Sequence, residues 1–185
     1  MLRDVYFRVA AHDKPRVLFS AHGLPEKIIR SGDPYQWQVE RTAERIVKLL
    51  MFDQLDYVVC YQSRVGPLKW IGPPTDEEIK RAGADGVPII LVPLAFVSEH
   101  SETLVELDIE YKELADEAGV PEYHRIPTLG TSELFIEGLA ELCLSVRQDE
   151  ALINTHKTRY CPERFQRCRC AQEKMQESAR GRASG

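Results

Sequence analysis

"VPIILVPLAFVSEHSETLVELDIEY", Val87 to Tyr111, joins two segments of different period. The first, Val87 to Val97, is an apolar run with prolines near its ends, as in a strand buried on both faces. It is too short and too proline-broken to span a bilayer. The second places Glu102, Glu106 and Glu110 four residues apart. On a helix that interval stacks three carboxylates along one side, with His100 beside the first. The stretch therefore reads as a strand running into a helix.

The stripe has a cost. Like charges at this interval weaken a helix by roughly 0.2–0.5 kcal/mol per pair, and no lysine or arginine lies between Glu99 and Tyr111. One reading is a solvated acidic face, as most charge runs are. The other is a path along which a cation or protons pass. An interval of four also exceeds the 3.6 residues of an α-helical turn. A local π-bulge would align the carboxylates better, and such bulges gather at functional sites.

Moving outward, the same alternation recurs. "RVLFSA" (16–21) is a short apolar run ending in a turn, and "DPYQWQVERTAERIVKLLMF" (33–52) follows with apolar residues at helical spacing. "LDYVVCYQS" (55–63) is a second strand. "TDEE" (75–78) opens a helix with Thr75 and Glu78 at capping-box spacing. "YHRIP" (123–127) is a weaker fourth strand, and "TSELFIEGLAELCLSVRQDEALI" (131–153) is an amphipathic helix. Four such units predict an α/β fold, a parallel sheet with helices on both faces. Residues 1–153 would form this domain, and 154–185 an irregular, basic, cysteine-containing tail.

Composition agrees with one domain plus a tail: 185 residues, 43% hydrophobic and 29% charged. The formal net charge of −5 hides an asymmetry, for Glu99–Glu150 holds 14 acidic residues against 3 basic. That part does not look like a nucleic-acid binder, while the basic tail could touch phosphates or anionic lipid, or be a solvated end. The N-terminal "MLRDVYFRVAAHDKPR" has no basic-then-apolar signal pattern. A cytoplasmic protein with at most peripheral membrane contact is expected. In a reducing compartment its five cysteines would be thiols or metal ligands rather than disulfides.

Ligands of parallel sheets bind beyond the C-terminal strand ends. That rim would carry "AHGLP" (21–25), "YQSRVGPLKWIGPP" (61–74) and "FVSEHSE" (96–102). His22 could be an ordinary loop histidine, but His100 and Glu102 reach the same rim. An imidazole titrating near neutral pH accepts a proton or a metal ion. Tyr61 and Trp70 could plug the sheet end or form a flat wall for a planar ligand.

At this point the sequence resembles the ferrochelatases, which insert ferrous iron into a porphyrin. The resemblance runs from about Arg16 to Leu142 and rests on "FSAHGLP", "GDPY", "YQSRVGPLKWIGPPTDE" and "LVPLAFVSEHSETLVELDIEY" in that order. It implies that His22 and Glu102 are catalytic, His22 binding the metal or taking pyrrole protons. His100, Glu106 and Glu110 would extend the metal site, and Tyr61, Ser63 and Trp70 would contact the substrate. It implies protoporphyrin IX and ferrous iron as substrates, protohaem as product, and no organic cofactor. It also implies that this chain matches only the C-terminal of two similar domains, as a truncated or split product. A partner N-terminal half in trans would complete it. Two further readings remain: a non-catalytic metal- or porphyrin-binding remnant, and a chelatase of another tetrapyrrole.

In the tail, Cys161, Cys168 and Cys170 form C-x6-C-x-C, whereas Cys60 and Cys143 sit in apolar segments and read as core. The three tail thiols resemble the [2Fe–2S] motif of some bacterial ferrochelatases. Such a cluster needs a fourth ligand, which the resemblance places in the absent half. Alternatives are zinc held by these thiols with His156, or a disordered tail with idle thiols.

Overall fold

The computed structural model describes residues 1–147 and 159–171. The domain boundary expected at 153/154, the end of the last expected helix and His156 all lie outside the described residues. The chain divides into two compact units, Met1–Pro25 with Val39–Gly130, and Glu26–Gln38 with Thr131–Gly185.

The first unit is built on a four-stranded parallel sheet, ordered β2-β1-β3-β4. The strands are β1 (Arg16–His22), β2 (Tyr57–Gln62), β3 (Ile89–Pro93) and β4 (Tyr123–Arg125). Leu18 of the central strand pairs with Val58 on one side and Leu91 on the other. Both faces of β1 and β3 are buried, which is why those strands read as nearly unbroken apolar runs. Leu18, Cys60, Ile89 and Leu91 form one core with Ile79 and Ala82 of α4 (Thr75–Asp85) and Ala115 of α6 (Tyr111–Glu117). Val17, Phe19, Ala21, Tyr61 and Ile90, of opposite parity, are also buried. At the other end of the sheet Arg16 is held by Asp56 at 3.0 Å and Asp85 at 2.8 Å.

The long helix α3 (Tyr35–Leu50) starts after Pro34, as its sequence predicts, and the Asp33 carboxylate accepts the Tyr35 N–H at 2.9 Å. Two helices have no counterpart in the periodicity reading: α1 (Leu2–Val9) and α2 (Glu26–Arg30) are too short to show a period. One expectation fails in detail. Thr75 does not cap α4, whose N-cap is Pro74 without a side-chain bond. Its hydroxyl turns inward to Ser20 Oγ at 2.9 Å, and Glu78 pairs with Arg81. A buried hydroxyl needs a partner, and Ser20 supplies it.

In the second unit, residues 159–171 fold around a small core of Cys161, Phe165, Cys168 and Ala171, with Trp37 against it. The ring of Trp37 lies 5.4 Å from that of Tyr160 and 5.9 Å from that of Phe165. This part of the tail is irregular in backbone, mostly turns and bends, yet packed. Helix α7 (Glu133–Arg147) is largely open, with Leu134 84% and Leu144 60% exposed. Cys143, expected in a core, is exposed for the same reason. Among the described residues no helix is long and apolar enough to cross a membrane.

Gly83 shows how closely α4 and α6 approach. A Cβ there would sit 2.1 Å from the Ala118 carbonyl oxygen. Helix propensity alone makes Gly→Ala favourable by about 1 kcal/mol. The backbone overlap reverses that sign, since overpacking costs roughly 1–3 kcal/mol and a carbonyl cannot rotate away as a side chain does. We expect Gly83→Ala to lower the thermal midpoint by several degrees, at about 2–4 °C per kcal/mol for a chain of this size. An unchanged or raised midpoint by calorimetry would contradict the packing described.

Candidate active site

The parallel strands end together, and their last residues build the rim. His22 closes β1, Gln62 closes β2, and the chain leaving β3 runs through Leu94 and Phe96 to His100. The His22 Nδ1 lies 2.6 Å from the Gly23 carbonyl oxygen. A carbonyl only accepts, so the neutral ring carries its proton on Nδ1 and its lone pair on Nε2. That Nε2 faces Glu102 Oε1 at 3.7 Å, and both side chains are about two-fifths exposed. The separation exceeds a hydrogen bond. Gly23 is tightly enclosed: a Cβ would meet the Gln62 carbonyl oxygen at 3.0 Å and the Trp70 ring at 3.3 Å. Trp70 therefore packs against Gly23, half-buried.

Glu102 is delivered by a four-residue helix, α5 (Ser101–Leu104), followed by a π-helical turn over Glu106–Glu110. The Glu110 N–H reaches the Val105 carbonyl at 3.0 Å, five residues back. The wide turn anticipated from the four-residue interval is thus present. His100 caps α5: its Nδ1 accepts the Glu102 N–H at 3.2 Å, and its own N–H donates to Thr103 Oγ1 at 2.9 Å. It therefore orients Glu102 through the backbone.

Glu106 is committed elsewhere. Its carboxylate accepts from Ser63 N–H at 2.7 Å, Gln62 Nε2 at 3.1 Å and the Tyr111 hydroxyl at 3.0 Å, and from the Ser63 hydroxyl. A carboxylate offers about four acceptor positions, so a cation would have to displace one of these donors. Ser63 stands at φ +58°, which costs a non-glycine residue roughly 1–2 kcal/mol. Its two bonds to Glu106 offset that strain. The Tyr111 hydroxyl, buried and beside an anionic partner, is pushed well above the ordinary phenol range. Glu110 is exposed.

Of the residues singled out from sequence, the structure brings His22 to Glu102, and Ser63 to Glu106. Tyr61 is only 1% exposed. Among the described residues no three His, Cys, Asp or Glu side chains converge on one point. In the tail the Cys161 and Cys168 thiols are side by side, and the amide of Gln38 meets Cys161 Sγ at 3.6 Å. Burial, and then the neighbouring Cys168, push the Cys161 thiol up to about 11.

Several working residues escaped the sequence reading. Gln62, 1% exposed, accepts from Ser20 Oγ at 2.8 Å and donates to the Glu102 carbonyl at 3.0 Å. Glu99 accepts from Arg125 at 2.6 Å and from the Thr128 N–H at 2.9 Å. Burial works against its charge, but Thr128, Thr103 and Arg125 together outweigh that and hold its carboxyl down at about 2. A glutamine at the end of an apolar strand, and one of only three basic residues in an acidic half, were the available signals.

The family model described as ferrochelatase matches residues 2–146. A ferrochelatase of Pelagibacter ubique (strain HTCC1062) is 53% identical over 156 residues, 84% of this chain and 45% of that protein. One from Wolbachia sp. subsp. Drosophila simulans (strain wRi) is 56% identical over 142 residues, 76% of this chain and 44% of that protein. The chain thus spans about half the length of the curated relatives it matches. Among solved structures, a CbiX protein of cobalamin (vitamin B12) biosynthesis from Marinobacter aquaeolei VT8 aligns with a TM-score of 0.52. At 17% identity, over 72% of this chain and 97% of that one, it attests to the fold alone. Sequence identity above one half and a family match over nearly all of the first 146 residues leave one assignment: the chain belongs to the ferrochelatase family.

Proposed function

We propose that this chain is the metal-side half of a ferrochelatase, inserting ferrous iron into a porphyrin together with a second segment like the part of its relatives that it does not span. The observation that carries this reading is the pair of His22 Nε2 and Glu102 Oε1, 3.7 Å apart on the open rim. Two donor atoms at that spacing lie within reach of one ion bonded at roughly 2.0–2.2 Å to each. The same pair serves proton transfer. A porphyrin loses two N–H protons as the metal enters, and a base must stand over the ring to take them. The lone pair on His22 Nε2 is such a base, and Glu102 stabilises the imidazolium that results.

Exposed apolar residues around the rim support a second wall. Val97, Leu104, Val105 and Ile109 are each about half exposed, a surface suited to a flat apolar ligand or to another protein segment. The partner would contribute much of the porphyrin grip, and so the choice between protoporphyrin and coproporphyrin. His100 and Glu106 would act by positioning Glu102 and Ser63, and Glu110 would stand at the outer end of the acidic path.

The tail is read more narrowly. A [2Fe–2S] cluster held by cysteines takes four thiolate ligands, and the described residues do not bring even three ligating side chains to one point. The three thiols do not by themselves fit that cluster. They would be part of a set completed elsewhere.

The test is metal insertion by the purified chain, alone and mixed with the N-terminal half of a relative, followed by porphyrin absorption and fluorescence with ferrous iron and with zinc. We expect turnover in the mixture, and a loss of roughly 10²–10⁴-fold for His22→Ala or Glu102→Gln at unchanged thermal stability. Full turnover by either variant would remove those roles. Glu106→Gln should behave differently: it keeps the shape but weakens the acceptor for Ser63. We expect a loss of about 1.5–3 kcal/mol in stability, as for hydrogen bonds to a charged group, together with a smaller loss of turnover. A stable Glu106→Gln protein unable to bind metal would instead make Glu106 a ligand.

A further inference from the structure

Strand β4 is three residues long and lies at the sheet edge, yet two of its side chains reach the segment that carries Glu102. The Arg125 guanidinium grips Asp108 with two nitrogens, the Nε–Oδ1 contact being 2.6 Å, and its third nitrogen holds Glu99 Oε1 at 2.6 Å. The Tyr123 hydroxyl donates to the Leu107 carbonyl at 2.7 Å. Glu99 lies just before α5, and Leu107 and Asp108 lie inside the π turn. One arginine therefore fastens both ends of the span that contains Glu102.

We propose that Arg125, assisted by Tyr123, is a positioning residue that keeps residues 99–110 in the π register and so sets where Glu102 stands relative to His22. Three observations carry this. The guanidinium fork is planar and bidentate to Asp108, which fixes orientation as a point charge would not. The Arg125 side chain is 12% exposed, so water competes little for these bonds. From Glu99 to Tyr111 the segment has no basic residue of its own, so its compensating charge comes from across the fold. Gln62 senses the outcome, because its Nε2 meets both the Glu102 carbonyl and the Glu106 carboxylate. The effect on turnover rests on the ferrochelatase reading, whereas the effect on the segment rests on geometry alone.

Arg125→Lys keeps the charge and removes the fork, and Tyr123→Phe removes a single hydroxyl. In the full chain the test reads the Gln62 side-chain amide by NMR, together with hydrogen exchange at the Glu110 and Tyr111 amides and at those of β1. Metal insertion by the chain mixed with the N-terminal half of a relative is followed in parallel, separating kcat from the porphyrin KM. In Arg125→Lys we expect the Gln62 amide resonances to move and the Glu110 and Tyr111 amides to exchange about tenfold faster, with β1 unchanged, a local opening. Turnover should fall roughly ten- to a hundredfold in kcat at little-changed KM, as for a displaced catalytic group. Tyr123→Phe should show the same pattern, weaker. Unmoved Gln62 resonances, or exchange that rises equally in β1, would overturn the proposal. A wild-type chain without turnover when mixed with the N-terminal half of a relative overturns the functional reading instead and leaves the NMR test intact.

Discussion

The Gln62 side-chain amide ties β1 to the segment that carries Glu102 and Glu106. It is 1% exposed at the end of β2, where an unpaired amide would cost several kcal/mol. Its oxygen takes the Ser20 hydroxyl from β1, and its nitrogen reaches the Glu102 carbonyl and the Glu106 carboxylate. Ser20 in turn meets Thr75 at the start of α4. The pairing that orders the strands thus also fixes the π turn against them. Burial makes the arrangement stringent, because each donor and acceptor has few alternatives.

The acidic segment is tolerable because its carboxylates are not equivalent. Glu99 and Asp108 share the Arg125 guanidinium, and Glu106 is surrounded by hydroxyl and amide donors. Glu102 and Glu110 remain toward solvent. Repulsion of a few tenths of a kcal/mol per pair is small beside a bidentate arginine bond or several charge-assisted contacts. The stripe is therefore sorted into held and exposed groups.

The sheet was legible in the sequence because four apolar runs alternate with helical periods, and parallel order follows from such units. The wide turn after Glu102 was legible too, in an interval longer than an α-helical turn. What escaped depends on contacts between distant residues. Gln62 meets Glu102, 40 residues away, and Arg125 meets Glu99, 26 away. No local period encodes either. Thr75 misled for a related reason: its spacing to Glu78 matches a cap, but a nearer buried partner took the hydroxyl. Short helices such as α1 and α2 carry too few residues for any period to emerge.

His22 and Glu102 reach the rim by different routes, and this explains why their separation can be held without direct contact. His22 is the last residue of the central strand, and its ring is fixed by the next carbonyl. Glu102 is held through its backbone, by His100 at its N–H and Gln62 at its carbonyl. Neither side chain depends on the other for its place. On the proposed function, a directly hydrogen-bonded pair would have to break before an ion or a proton could pass between its members. At 3.7 Å the two groups are not so bonded, and the backbone behind each is anchored from its own element. The polar network under the rim is the structural means of keeping two opposed groups near each other and apart.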